Sequence, residues 1–137
     1  MFLSHLLPVL LLAGPAEFPE HPIDVELTRC MNTAEGSTTH GSNRCIRTAT
    51  AAWDRELNRV YRELMNELGD PQKLRLRDAQ RKWIAFRDAE VDAVGLIYGS
   101  LDGTMFMVMQ SGAVSSLTRD RVRQLEATLD AVRVARQ

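Results

Sequence analysis

The sequence predicts an all-α fold: a small helical bundle built on a long antiparallel helical hairpin, with one disulfide-clamped loop. Three observations carry this. Apolar residues recur at steps of three and four through most of the chain, turn-forming residues punctuate the runs, and no region offers a pair of alternating strands. The length of 137 residues suits one domain with a single apolar core. At 45% hydrophobic and 26% charged residues, the balance is that of a globular domain and excludes wholesale disorder.

Residues 1–16 read as a secretory signal peptide. Met1 to Ala13 is an apolar run too short to span a bilayer, and the small residues Gly14 and Ala16 precede a cut after Ala16. No Lys or Arg precedes the run, so a buried N-terminal helix stays open as the alternative. With the cut, residues 17–137 form one helical domain, periplasmic or secreted and without stable membrane insertion. Export places Cys30 and Cys45 in an oxidising compartment, where they become disulfide candidates.

Residues Ile23 to Ala34 are expected as a short first helix, followed by the polar loop Glu35 to Ser42, with Ser42 as N-cap of the next helix. A bridge between Cys30 and Cys45 clips this loop shut, worth roughly 3 kcal/mol for a loop of that length on the chain-entropy model. The alternative, a redox-active pair, lacks the Cys-x-x-Cys spacing that lowers a thiol pKa. Ile46, Ala49, Trp53, Leu57, Val60, Leu64 and Leu68 then draw one stripe along a long helix. Gly69-Asp70-Pro71 supplies a left-handed C-cap, an N-cap and a first-turn proline in succession, so the two flanking helices are expected as antiparallel neighbours.

The second long helix runs from Pro71 to about Tyr98, with the stripe Leu76, Ala79, Trp83, Phe86, Ala93 and Ile97. Gly99 to Gly103 breaks it. The Met-rich segment Thr104 to Gln110 is expected as a core helix, interrupted at Ser111-Gly112, before a last helix marked by Leu117, Val122, Leu125, Leu129 and Val132.

The chemistry-bearing inventory is thin. With 17 Lys and Arg against 18 Asp and Glu, the chain lacks the electrostatic footprint of a nucleic-acid binder. It has no His-Glu-x-x-His, no Gly-x-Ser-x-Gly and no glycine-rich phosphate loop, so no catalytic residue, cofactor or metal is expected. The cationic run Lys73 to Lys82 reads as a solvated helix face. Polar residues beside the aromatic stripe (Asp54, Asn58, Gln80, Arg87, Asp88) are placed to hydrogen-bond across the hairpin, and a half-buried Arg87 needs a carboxylate there.

Two motifs stand out at these residues: Asp54, Leu57, Asn58, Tyr61 and Leu64 in the pattern D-x-x-L-N-x-x-Y-x-x-L, then Ala79, Gln80, Trp83, Arg87 and Asp88 in the pattern A-Q-x-x-W-x-x-x-R-D. Together with Leu117-Thr118, Arg121 and Leu125, they resemble the LprI-like lysozyme-inhibitor family over roughly Cys30 to Leu125. The resemblance implies a secreted or envelope-attached helical protein that is not an enzyme and that binds a protein partner, a c-type lysozyme, and occludes its cleft. Members often carry a cysteine where this chain has Val91, and a partner for it further on. Here no cysteine follows Cys45, so apolar packing must hold the last helix.

Lysozymes are commonly cationic and work through two carboxylates in an open groove, so an inhibitor calls for a protruding element with acidic groups. Two exposed candidates stay open: the clamped loop with Glu35 and His40, and the turn at Asp102. A structural or adaptor protein of the cell envelope, using Met105 to Met109 as its contact, is the alternative reading.

Overall fold

The computed structural model describes residues 20–137, so the segment read as a signal peptide lies outside the described residues. Four helices follow one another: α1 (Pro22–Met31), α2 (Thr39–Glu67), α3 (Asp70–Gly99) and α4 (Met105–Val134), with no strand among the described residues.

His21 opens α1: its Nδ1 accepts the Ile23 N–H at 3.2 Å, and Pro22 occupies the first helical position. The helix stops at Met31, short of Ala34, because Thr33 bends the chain. Its hydroxyl donates to the Cys30 carbonyl and accepts the Gly36 N–H, both at 2.9 Å. Thr38, not Ser42, caps α2, accepting the Gly41 N–H at 3.0 Å. Ser42 lies one turn inside the helix, buried, and donates to the Gly36 carbonyl at 2.7 Å.

Two glycines allow this crossing of chain segments. A Cβ on Gly36 would stand 1.9 Å from the Cys30 oxygen, and one on Gly41 would stand 1.8 Å from the Glu35 oxygen. The fold thereby brings Cys30 and Cys45 to a Cα–Cα distance of 5.8 Å, and they form the expected disulfide.

Between α2 and α3 the link is two extended residues. Gly69 has φ −79° and ψ 168°, so it is not the left-handed C-cap expected; it is the N-cap of α3. Gln72 explains the difference by accepting the Gly69 N–H at 2.9 Å, half of a capping box, while Asp70 and Pro71 start the helix.

The all-α bundle and the clamped loop stand as the sequence predicts, but the principal neighbour of α2 is α4. These two helices run parallel: Asn43 meets Ser111, Glu63 meets Arg133 and Glu67 meets Arg136. α3 returns between them in sequence and packs antiparallel on α4, with Gln80 against Arg121 and Tyr98 against Phe106. It faces α2 across a groove instead of closing on it.

The reason lies in the stripes. On α4, Ser115, Thr118, Val122, Leu125 and Leu129 form an unbroken 3-4 series, all buried, with small polar residues at one end that let the backbones approach. On α3 only Leu76 and Trp83 of the expected stripe pack on the core. Ala79, Phe86, Ala93 and Ile97 are exposed, and the single buried residue is Gln80.

The core is therefore a two-helix seam. Ala49, Trp53, Leu57, Val60 and Leu64 of α2 meet Val122, Leu125 and Leu129 of α4. Ile23 and Leu27 of α1 cover one side, held by the disulfide and by Arg123 donating to Asp24 at 2.6 Å.

α4 runs unbroken through Ser111-Gly112. An internal glycine costs about 1 kcal/mol relative to alanine. Here the turns on either side are anchored, by Phe106 on Tyr98 and by Ser115 and Thr118 in the seam. The Met-rich segment is helical but is not core: Met105, Met107 and Met109 are exposed. In the parallel register set by Asn43 and Ser111, Met105 lies before the start of α2 and Met107 and Met109 lie level with its first turn, so little of α2 is there to cover them.

Two outcomes follow from the packing. Leu64→Ala, at a fully buried seam position, is expected to lower stability by about 3 kcal/mol in chemical denaturation. Leu96→Ala, at an exposed site, is expected to change it by under about 0.5 kcal/mol.

A further outcome concerns acid. Hydrogen bonds from Arg59 hold the Glu56 carboxyl below its ordinary 4.5, and Arg59 with Arg133 does the same for Glu63. A depressed folded pKa contributes stability that is present above the unfolded value and is lost as pH falls through the folded one. Denaturation midpoints are expected to hold above about pH 5 and to drop towards about pH 3, with a shallower drop in Glu56→Gln.

Candidate functional site

Residues of the two sequence motifs gather along one groove between α2 and α3, about 440 Å³ in volume. α2 supplies Asp54, Leu57, Asn58 and Tyr61, and α3 supplies Gln80 and Arg87. Steps of three and four place each set on one helix face. Leu57 is buried in the seam and Tyr61 packs against it, so half of the motif is architectural.

The hydrogen bonds differ from those the sequence leads one to expect. Asn58 does not cross the groove; its amide donates to the Asp54 carbonyl of its own helix at 3.0 Å. Arg87 takes its carboxylate from its neighbour Asp88, donating through Nε at 3.0 Å and a terminal nitrogen at 2.8 Å. Among these polar motif residues, the side chain that does bond across helices is Gln80, and it reaches α4. Its Oε1 accepts from Arg121 Nε at 3.0 Å.

Trp83 organises this region. Arg87 lies over its ring at 5.3 Å and Arg121 at 5.9 Å, so the indole is flanked by cations from α3 and α4. Burial pulls the Arg121 pKa down, the cost of keeping a guanidinium beside the core. The pattern contained the right residues; it could not show that α4, carrying Arg121, would be the partner.

The two candidate contact loops are unlike each other. Glu35 accepts from Arg44 at 2.7 Å, which lowers its pKa, and His40 lies on a shallow face with Arg44, Arg47 and Arg55. That surface is basic. No hydrogen bond or ion pair joins Glu35 or His40 to Asp102 among the described residues.

The turn at Asp102 lies at the same end of the bundle and has the opposite charge character. From Asp88 to Thr118 the chain carries Asp88, Glu90, Asp92 and Asp102, and no Lys, Arg or His. This cation-free stretch forms the tip where α3 turns into α4, and the turn uses Gly103 at φ 119°. Leu96 (79% exposed), Ile97, Leu101, Met105 (70%) and Met107 project from the same tip. Tyr98 and Phe106, 6.4 Å apart, back a recess of about 280 Å³. An acidic rim around exposed apolar side chains is the composition of a protein-binding surface. The signal was present in the sequence, hidden by a net charge of −1 that averages this tip with the basic half of α3.

Among the described residues one group of side chains has metal-ligating chemistry, His21, Glu56 and Glu126, at the edge where α1 meets the seam. None of the described helices is long and apolar enough to cross a membrane.

The Gln80–Arg121 bond is testable by stability. Gln80→Leu, which leaves the Nε of a half-buried guanidinium without its acceptor while a terminal nitrogen keeps Gln124, is expected to cost about 1–3 kcal/mol in urea denaturation. Arg121→Met in the same chain is expected to recover much of it, which a double-mutant cycle reads directly.

Comparison with known proteins agrees with this architecture. The family model described as "Lysozyme inhibitor LprI" matches residues 30–125. An uncharacterised protein of Rhizobium meliloti (strain 1021) is 31% identical over 101 residues, covering 64% of this chain and 71% of that protein. A crystal structure of an uncharacterised protein from Burkholderia thailandensis matches with a TM-score of 0.78 at 26% identity. That match covers 82% of this chain and 55% of the other, so the chain spans about half the length of its structural neighbour.

Proposed function

From the premise that the chain belongs to the LprI lysozyme-inhibitor family, we propose that it is an exported, non-enzymatic module that binds a cationic lysozyme through the α3–α4 tip. The observation that carries the choice of surface is the cation-free stretch from Asp88 to Thr118, with its exposed apolar side chains. Lysozyme's substrate groove contains two catalytic carboxylates and is entered past a commonly basic rim. A narrow helical tip with Asp92 and Asp102 at its margin complements that rim. Leu101 and Met105 supply the apolar contact that displaces water from the groove.

The other exposed loop is a poorer fit. Glu35 is already paired with Arg44, and the arginines beside His40 would repel a cationic partner. Export accords with the disulfide, which persists in an oxidising compartment. An envelope adaptor is the second reading, favoured by the exposure of Met105, Met107 and Met109, and it uses the same tip.

The test is turbidity clearing of a peptidoglycan suspension by a c-type lysozyme, with oxidised protein in several-fold excess. Clearing is expected to slow, a complex is expected on gel filtration, and both effects are expected to weaken with salt. Asp102→Lys combined with Met105→Lys is expected to weaken inhibition about tenfold, equivalent to about 1.4 kcal/mol, with unchanged thermal stability. Unchanged clearing with no complex rejects the inhibitor reading. Self-association lost in the same double variant would instead favour the adaptor.

A further inference from the structure

We propose that His21, Glu56 and Glu126 form a binding site for a divalent transition-metal ion of the zinc class, joining α1 to α2 and α4. Each ligand comes from a different element: His21 caps α1, Glu56 lies on α2 and Glu126 on α4. His21 Nε2 stands 3.9 Å from Glu56 Oε1 and 3.7 Å from Glu126 Oε1. One ligand atom from each residue lies within 4.8 Å of the other two.

These separations are too long for hydrogen bonds. They suit three ligands placed around one ion at zinc–nitrogen and zinc–oxygen distances of about 2.0–2.2 Å. The side chains are sheltered without being sealed, with 18%, 19% and 30% of their surfaces exposed for His21, Glu56 and Glu126. The imidazole rests on Trp53 at a centroid distance of 4.4 Å, which fixes where Nε2 points.

The charges also fit. Arg59 pairs with Glu56, whereas Glu126 accepts no hydrogen bond from any described residue. A carboxylate held a few ångströms from a second carboxylate and an imidazole nitrogen gains from a cation between them. One imidazole nitrogen and two carboxylate oxygens make a borderline donor set, suited to zinc and its neighbours and poorly suited to magnesium. Solvent can complete the coordination.

In the metal-free state His21 Nδ1 accepts the Ile23 N–H, so the ring proton resides on Nε2. Binding through Nε2 moves that proton to Nδ1 and gives up the cap on Ile23. In exchange the ion bonds three elements at once, and competition with protons weakens binding in acid.

The test uses the tag-free, oxidised full chain, with thermal unfolding followed as zinc chloride or magnesium chloride is added. Zinc is expected to raise the melting temperature by about 5 °C, and magnesium to leave it unchanged. Glu126→Gln is expected to abolish the rise. His21→Asn is expected to abolish it as well while leaving the metal-free melting temperature within about 2 °C, because asparagine keeps a strong N-cap acceptor and removes Nε2. No zinc-dependent rise in the unmodified chain overturns the site, and so does an equal rise in both variants.

Discussion

Burial of one face of α2 against one face of α4 is the constraint from which the remaining geometry follows. Trp53, Leu57, Val60 and Leu64 have almost no exposed surface, and Val122, Leu125 and Leu129 close over them. Because the two helices are parallel, the chain must travel back along the bundle between them, and α3 is that return path. The polar contacts at either end of the seam, Asn43 with Ser111 and Glu67 with Arg136, keep the register. Ion pairs this exposed contribute little energy singly, but they penalise a one-turn slip.

With the core satisfied by two helices, α3 is left with a lighter duty. It is anchored at Leu76, Gln80 and Trp83 and again by Tyr98 against Phe106, and the rest of its surface largely faces water. A helix that need not fill a core is free to vary its surface, and this one divides its charge sharply: basic from Lys73 to Arg87, acidic and apolar beyond. The proposed binding tip sits on the part of the molecule that the core needs least. That placement lets contact residues change without loss of the fold.

How much of this was legible in the sequence depends on the kind of information involved. The stripe of α2 was readable residue by residue because periodicity reports burial directly. Which stripe it would meet was not readable, since two amphipathic helices of equal quality are interchangeable until register and small residues decide. Ser115 and Thr118 were decisive, and as polar residues they gave no apolar signal. Ser42 reads as a cap from sequence, but Thr38 offers the same chemistry one turn earlier and takes the role. The Met-rich run reads as core because hydropathy cannot reveal that α4 begins where α2 has not yet started. The tip's charge asymmetry lay in plain view, but its sign vanished in the total. His21, Glu56 and Glu126 obey no spacing rule, being joined only by the tertiary fold.

The loop crossing at Gly36 and Gly41 bears on how the chain matures. The crossing brings the two cysteine backbones within bridging distance, and with two cysteines there is a single possible intramolecular pairing. Oxidation therefore has no wrong isomer within the chain to correct. Closing the bridge needs an electron acceptor but no reshuffling of bonds, and the wrong disulfide this chain can make with itself is a link between two copies.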